Sequence, residues 1–123
     1  MAAMRRMSEL KPSTGTRWPA VVREHIAEHQ HGCLGPLVGM PGACWGGLEL
    51  DHVRRGGMGM KSQSVATNGA RLCSWHHSIR TREGRTWRPR LLSEIARLHG
   101  ACAQCQRESI ETWGVPLEEG VAS

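Results

Sequence analysis

The chain contains no phenylalanine and no tyrosine, so whatever aromatic bulk the interior has must come from Trp18, Trp45, Trp75, Trp87 and Trp113. It also lacks any apolar run near the ~20 residues a membrane span needs. The opening MAAMRRMSEL has basic residues with no apolar stretch behind them, which is not the pattern of a secretory leader. The expectation is therefore an intracellular protein. An even set of cysteines is missing as well: there are five, one is left over in any pairing, and a reducing compartment makes metal binding the better use for them. A core this poor in aromatics, in a chain with 15 glycines, points to stabilisation by a metal or cross-links.

What is present is enough for one modest domain, since 123 residues with 39% hydrophobic content can bury a core. Sixteen Lys and Arg against eleven Asp and Glu give a net charge of +5. Arg80, Arg82, Arg85, Arg88, Arg90 and Arg97 crowd one short segment. Guanidinium forks match phosphate geometry, so the clustering points to a polyanion partner.

Along the chain, residues 1–16 lack periodicity and read as a flexible basic tail. RWPAVVREHIAEHQ sets Trp18, Val21, Val22 and Ile26 at helical spacing, with Pro19 in the first turn. From Gly32 to Gly47 glycine and proline are too frequent for regular structure. LELDHV at 48–53 alternates Leu48 and Leu50 with Glu49 and Asp51, the pattern of a half-buried strand. After a glycine-rich loop, ARLCSWHHSIRTR suits a short strand turning into a helix, and RPRLLSEIARLHG a last helix with Leu91, Leu92, Ile95 and Leu98 on one face. The organisation expected is a tail over 1–16, one domain over 17–99, and an acidic, loose segment over 100–123 that carries a Cys-x-x-Cys.

The stretch LCSWHH (72–77) places a cysteine before two adjacent histidines. Neighbouring side chains on a helix point about 100° apart, so the two histidines serve two sites more easily than one. Together with the acidic-His pair in LELDHV, the Gly-Gly of RRGGMG, Asn68 in TNG and then LCSWHHSIR, the chain resembles the HNH endonucleases over roughly residues 18–98, and in particular the small HNH proteins of tailed bacteriophages and prophages. The resemblance implies an α+β, ββα-metal fold: a short hairpin packed on a helix, braced by zinc, with flanking N- and C-terminal helices.

It also implies roles. Phosphodiester hydrolysis needs a base for water, a cation for the phosphate and leaving oxygen, and donors that fix geometry. His52 would be the general base, Asn68 would accept its second ring N–H, and Asp51 and His77 would ligate a catalytic divalent cation such as Mg²⁺ or Mn²⁺. Asp51 and His52 are adjacent and face opposite ways in a flat strand, so the strand must end or twist there. Cys33, Cys44, Cys73 and His76 form two pairs suited to a structural zinc. The first pair is wider than the family's usual spacing, and His76 stands where the family has a second cysteine. Arg80, where the family commonly has lysine, would touch a phosphate, and Arg54, Arg55, Lys61, Arg82, Arg85 and Arg88 would hold the flanking DNA backbone. Cys102 and Cys105, near His99, remain either half of another zinc site, a substitute pair in the first, or free thiols.

The activity expected is divalent-metal-dependent nicking or cleavage of DNA that leaves 5′-phosphate and 3′-hydroxyl ends, in the cytoplasm of a bacterial host and beside the phage terminase. The rival readings are a zinc-stabilised DNA-binding module without catalysis and a terminase-associated accessory protein.

Overall fold

The computed structural model describes residues 18–56 and 62–118; the expected basic tail over 1–16 and the expected phosphate contact Lys61 lie outside them. The described residues form a small α+β domain in which a two-stranded antiparallel hairpin is surrounded by helices. In chain order these are α1 (Ala20–His29), the single turn α2 (Gly35–Val38), β1 (Leu48–His52), a 3₁₀ turn (Ala66–Asn68), β2 (Gly69–Cys73), α3 (Ser74–Arg82), α4 (Gly84–His99) and α5 (Ala103–Trp113). Among the described residues no helix is long and apolar enough to cross a membrane.

Pro19 starts α1: its extended backbone is locked, and its carbonyl accepts the Val22 and Arg23 N–H groups. Ile26 is fully buried, but Val21, expected on the same face, is exposed. Polar groups complete the inward side instead, with His25 and His29 partly buried and Gln30 wholly buried. The glycine- and proline-rich segment 32–47 is irregular, as its composition predicts, apart from α2, where Pro36 starts a turn that Gly39 ends with φ +90°.

In the hairpin Leu48 opposes Cys73 and His52 opposes Gly69. β1 is half-buried without the expected alternation: Leu48 and Glu49 are exposed and Leu50 half-buried, whereas Asp51 and His52 are buried. Burial here grows toward the end of the strand rather than alternating, because ion pairs and ring packing enclose that end. β2 is buried almost throughout. Leu72 and Ala70, with Val53 after β1, pack against Ile79 of α3 and Trp87, Leu91 and Ile95 of α4, while Leu34, Val38 and Met40 close the far side. A smaller cluster joins Trp18 and Ile26 to Ala66 and Cys105. Gly69 permits that approach, since a Cβ there would lie 2.5 Å from Ile26 Cδ1.

Two boundaries differ from expectation. The helix foreseen from Arg88 begins at Gly84, where the backbone of Glu83 leaves the helical region, so Pro89 lies inside it rather than in its first turn. The segment foreseen as a loose tail holds α5. Its Glu108 carboxylate accepts the Ala66 N–H at 3.2 Å and the Thr67 N–H at 2.7 Å, and Trp113 Nε1 donates to Thr67 Oγ1 at 2.9 Å. Those N–H groups open the 3₁₀ turn and have no helical partners of their own. Glu108→Ala should therefore lower stability by roughly 1–2 kcal/mol, the scale of a lost cap with its charged hydrogen bonds. A thermal or urea melt indistinguishable from wild type would show that α5 does not brace the turn.

Candidate functional site

The quartet Cys33, Cys44, Cys73 and His76 is brought together, with its four ligand atoms within 4.8 Å of one another. The Cys33, Cys44 and Cys73 sulfurs lie 3.5, 3.7 and 3.2 Å from His76 Nδ1. A thiolate and an imidazole on one tetrahedral zinc, with bonds of ~2.3 and ~2.0 Å, are about 3.6 Å apart. His76 Nε2 faces the Pro41 and Gly42 carbonyls at 3.1 and 3.0 Å. Donation there leaves Nδ1 bare toward the sulfurs. The ring lies so close to Gly35 that a Cβ would be 2.4 Å from it.

Thiols in this arrangement divide unequally. Burial opposes ionisation of Cys73, yet the N–H groups of His76 and Trp45, with Cys33 and Cys44, outweigh it and hold the thiol at about 6. Cys44 is raised to about 11 by desolvation and by the Cys33 and Cys73 sulfurs. A cation between the sulfurs would let them ionise together. The cluster can hold a metal such as zinc, and the widened Cys33–Cys44 spacing does not prevent the closure.

His77 points elsewhere. Its Nε2 is 3.3 Å from Asp51 Oδ1, and its Nδ1 makes a short hydrogen bond to Glu49 Oε1. The Asp51 carboxylate, hydrogen-bonding and then attracting the ring, raises the His77 pKa against the effect of burial, and Glu49 adds to it. Asp51 is 1% exposed and accepts from Arg55 Nη2 at 2.9 Å and Arg80 Nε at 3.0 Å. β1 ends at His52, as the adjacency of Asp51 and His52 requires. Asp51, His52 and His77 line one cleft of about 210 Å³ with Leu50, Arg55 and Ser62.

The partners of His52 differ from those expected. Its ring stacks on Trp18 with centroids 4.2 Å apart, and its Nε2 meets Ser64 Oγ at 2.9 Å. Among the described residues no hydrogen bond joins it to the Asn68 side chain. Asn68 accepts the Arg54 N–H at 2.7 Å and donates to the Arg54 and Gln63 carbonyls at 3.0 and 2.8 Å. Being wholly buried, the amide is used as a staple across the loop between the strands. Burial lowers the His52 pKa, opposed by Asp51 and reinforced by Arg55, so the neutral ring is favoured.

The arginines fall into two groups. Arg80, expected to meet phosphate, is 4% exposed and donates to Asp51 and, through Nη2 at 2.6 Å, to the Val53 carbonyl. Its first task is to hold the loop after β1 onto α3. Arg85 and Arg88 are exposed beside it in a hollow that also takes in Arg55. Arg54 lies over Trp113 at 4.9 Å and Arg82 over Trp75 at 5.9 Å.

Sequence reasoning missed Glu49 and Ser64, which lack any motif of their own. It left Cys102 and Cys105 open as half of another zinc site but missed the other half, His25 and His29; the four ligand atoms lie within 4.8 Å of one another and can likewise hold a metal. The His-x-x-x-His spacing of EHIAEH was a readable signal, since residues four apart share a helix face. Compared with protein-family models, curated proteins and solved structures, the chain has no match.

The adjacent histidines should fail differently. His76→Ala removes one donor of the first cluster and should reduce bound zinc and thermal stability together, because the binding free energy of a structural zinc adds to that of folding. His77→Ala should leave zinc content unchanged and weaken affinity for Mn²⁺, with a loss of stability limited to the missing partner of Asp51. Equal losses of zinc and melting temperature in both variants would merge the two sites into one.

Proposed function

We propose that the chain is a divalent-metal-dependent endonuclease of the HNH kind, with a ββα-metal core, that hydrolyses DNA phosphodiester bonds to 5′-phosphate and 3′-hydroxyl ends. The observation that carries this reading is the single cleft lined by Asp51, His52 and His77, next to the hollow lined by Arg55, Arg80, Arg85 and Arg88. Hydrolysis needs a neutral base, an oxygen-and-nitrogen cation site and a cationic bed for the strand, and these are adjacent here.

The donor set fits a catalytic cation. His77 gives Nδ1 to Glu49 and turns Nε2 toward Asp51, so a carboxylate orients the imidazole whose other nitrogen faces the ion. Two protein ligands leave positions open for water and phosphate, as a Mg²⁺ or Mn²⁺ site requires. Bound there, the ion would neutralise charge on the scissile phosphate and the leaving oxygen. His52, kept neutral by burial, accepts the proton of the attacking water. Trp18 and Ser64 hold its ring in place. Asn68 positions His52 indirectly by fixing the loop that follows β1. Exposed Arg85 and Arg88 contact backbone phosphates and do not read sequence.

One observation favours a second reading, a zinc-braced DNA-binding module without catalysis: Asp51 already carries two guanidinium partners, which compete with a cation for its oxygens. Nicking of supercoiled plasmid in Mg²⁺ or Mn²⁺ separates the two. His52→Ala should slow nicking by ~10²-fold or more while DNA binding and zinc content stay at wild-type levels; equal rates in wild type and variant would remove the base. Arg88→Ala should cut binding and reduce the slope of log K against log[salt] by about 0.9, one phosphate contact. An unchanged slope would put the arginine hollow off the DNA path.

A further inference from the structure

We propose that His25, His29, Cys102 and Cys105 bind a second structural zinc ion, which clasps α5 onto α1 behind the His52 cleft. The four donors come from opposite ends of the described chain and meet with their ligand atoms within 4.8 Å of one another. His25 Nε2 is 3.2 Å from Cys105 Sγ and 3.7 Å from Cys102 Sγ. These distances bracket the roughly 3.6 Å expected for imidazole and thiolate on one tetrahedral zinc.

Independent signs point to an ion at this place. His29 Nε2 is buried and has no hydrogen-bond partner among the described residues. An orphaned buried nitrogen is costly, and a metal at the centre of the four donors supplies the missing partner. The surroundings are also those of a metal site. His25 Nδ1 meets Glu28 Oε1 at 3.3 Å, which orients the ring and frees Nε2. Gln30 Oε1 accepts the Arg71 N–H at 2.8 Å, so its Nε2 is the donor, and it donates to the Gly69 carbonyl and to His99 Nε2 at 2.8 and 3.0 Å. His99 must then carry its proton on Nδ1, which donates to Cys105 Sγ at 3.3 Å. Thus His99 supports a sulfur and is not itself the ligand that its place beside Cys-x-x-Cys suggests.

The motif repeats the device of the first cluster. Cys102 Sγ accepts the Cys105 N–H at 3.4 Å and caps α5, as Cys73 Sγ accepts the His76 N–H at 3.4 Å and caps α3. Two thiolates and two imidazoles fill a tetrahedron with no position left open, so the ion is structural and zinc is the suitable metal. On binding, each thiol gives its sulfur electron pair to the ion and releases its proton to solvent. The mechanical consequence follows from the chain. Trp18, two residues before α1, stacks on His52, and Glu108 of α5 holds the turn that ends at Asn68. Clasping the two helices fixes both supports of the cleft.

The test is elemental analysis of the full chain purified without chelator. Two zinc ions per chain are expected in the wild type and one in the Cys102→Ser, Cys105→Ser double variant. Limited proteolysis should then cut within 103–113 faster than in wild type. Zinc content unchanged by the double substitution would overturn the proposal. Should that variant fail to fold, alkylation of the wild type decides: Cys102 and Cys105 should resist iodoacetamide until a chelator is added, and labelling of the partly exposed Cys102 at the same rate with and without chelator would equally overturn it. None of these readouts involves DNA cleavage, so an inactive protein with two zinc ions would refute the nuclease reading and leave this one standing.

Discussion

The corner where β2 becomes α3 controls the rest of the molecule. Cys73 ends the strand, caps the helix through its sulfur, and meets Cys33, Cys44 and His76. Through the hairpin register, the same strand sets the position of β1 and so of Asp51 and His52. Through the helix it sets His77 one residue beyond His76, and Arg80 one turn later. A metal ion at this corner would therefore fix the angle between β1, which carries Asp51 and His52, and α3, which carries His77. Zinc in small structural sites contributes on the order of 10 kcal/mol of apparent binding free energy, more than the few kcal/mol that a lean core of this size supplies alone.

Asp51 shows how that frame is put to use. A carboxylate this deeply buried is tolerated only when fully paired, and Arg55, Arg80 and His77 pair it. The same contacts tie the end of β1, the loop after it and α3 into one unit, since Arg80 also bonds the Val53 carbonyl. Removing Arg80 would leave the carboxylate short of a partner. A substitution of Arg80 therefore acts first on stability, whereas exposed Arg85 and Arg88 carry no such duty.

Most elements of secondary structure were legible in the sequence because each carries a local signal. Pro19 opens α1, the alternation at 48–53 marks β1, and the Cys–His spacing at 73–76 marks a ligand pair on a helix start. The first quartet was legible for the same reason. What escaped depends on contacts between distant segments. The partner of Asn68 is the backbone of Arg54, and nothing in TNG distinguishes an amide facing a backbone from one facing a ring. Ser64 and Trp18 reach His52 only once the loop and the N-terminal helix have folded back. Pairing His25 and His29 with Cys102 and Cys105 spans nearly 80 residues of chain, and the acidic composition after Cys105 hid a helix whose Glu108 caps the 3₁₀ turn.

The central claim is that adjacent histidines divide two kinds of metal between them, thiolate-held zinc on the side of His76 and an open oxygen-and-nitrogen site on the side of His77. Anomalous diffraction from a Mn²⁺-soaked crystal, with data collected on both sides of the zinc and manganese edges, tests it most directly. The division predicts zinc peaks within the Cys/His clusters and a separate manganese peak between Asp51 and His77 Nε2. Manganese among the cysteines, or no manganese beside Asp51 at saturating concentration, would contradict it.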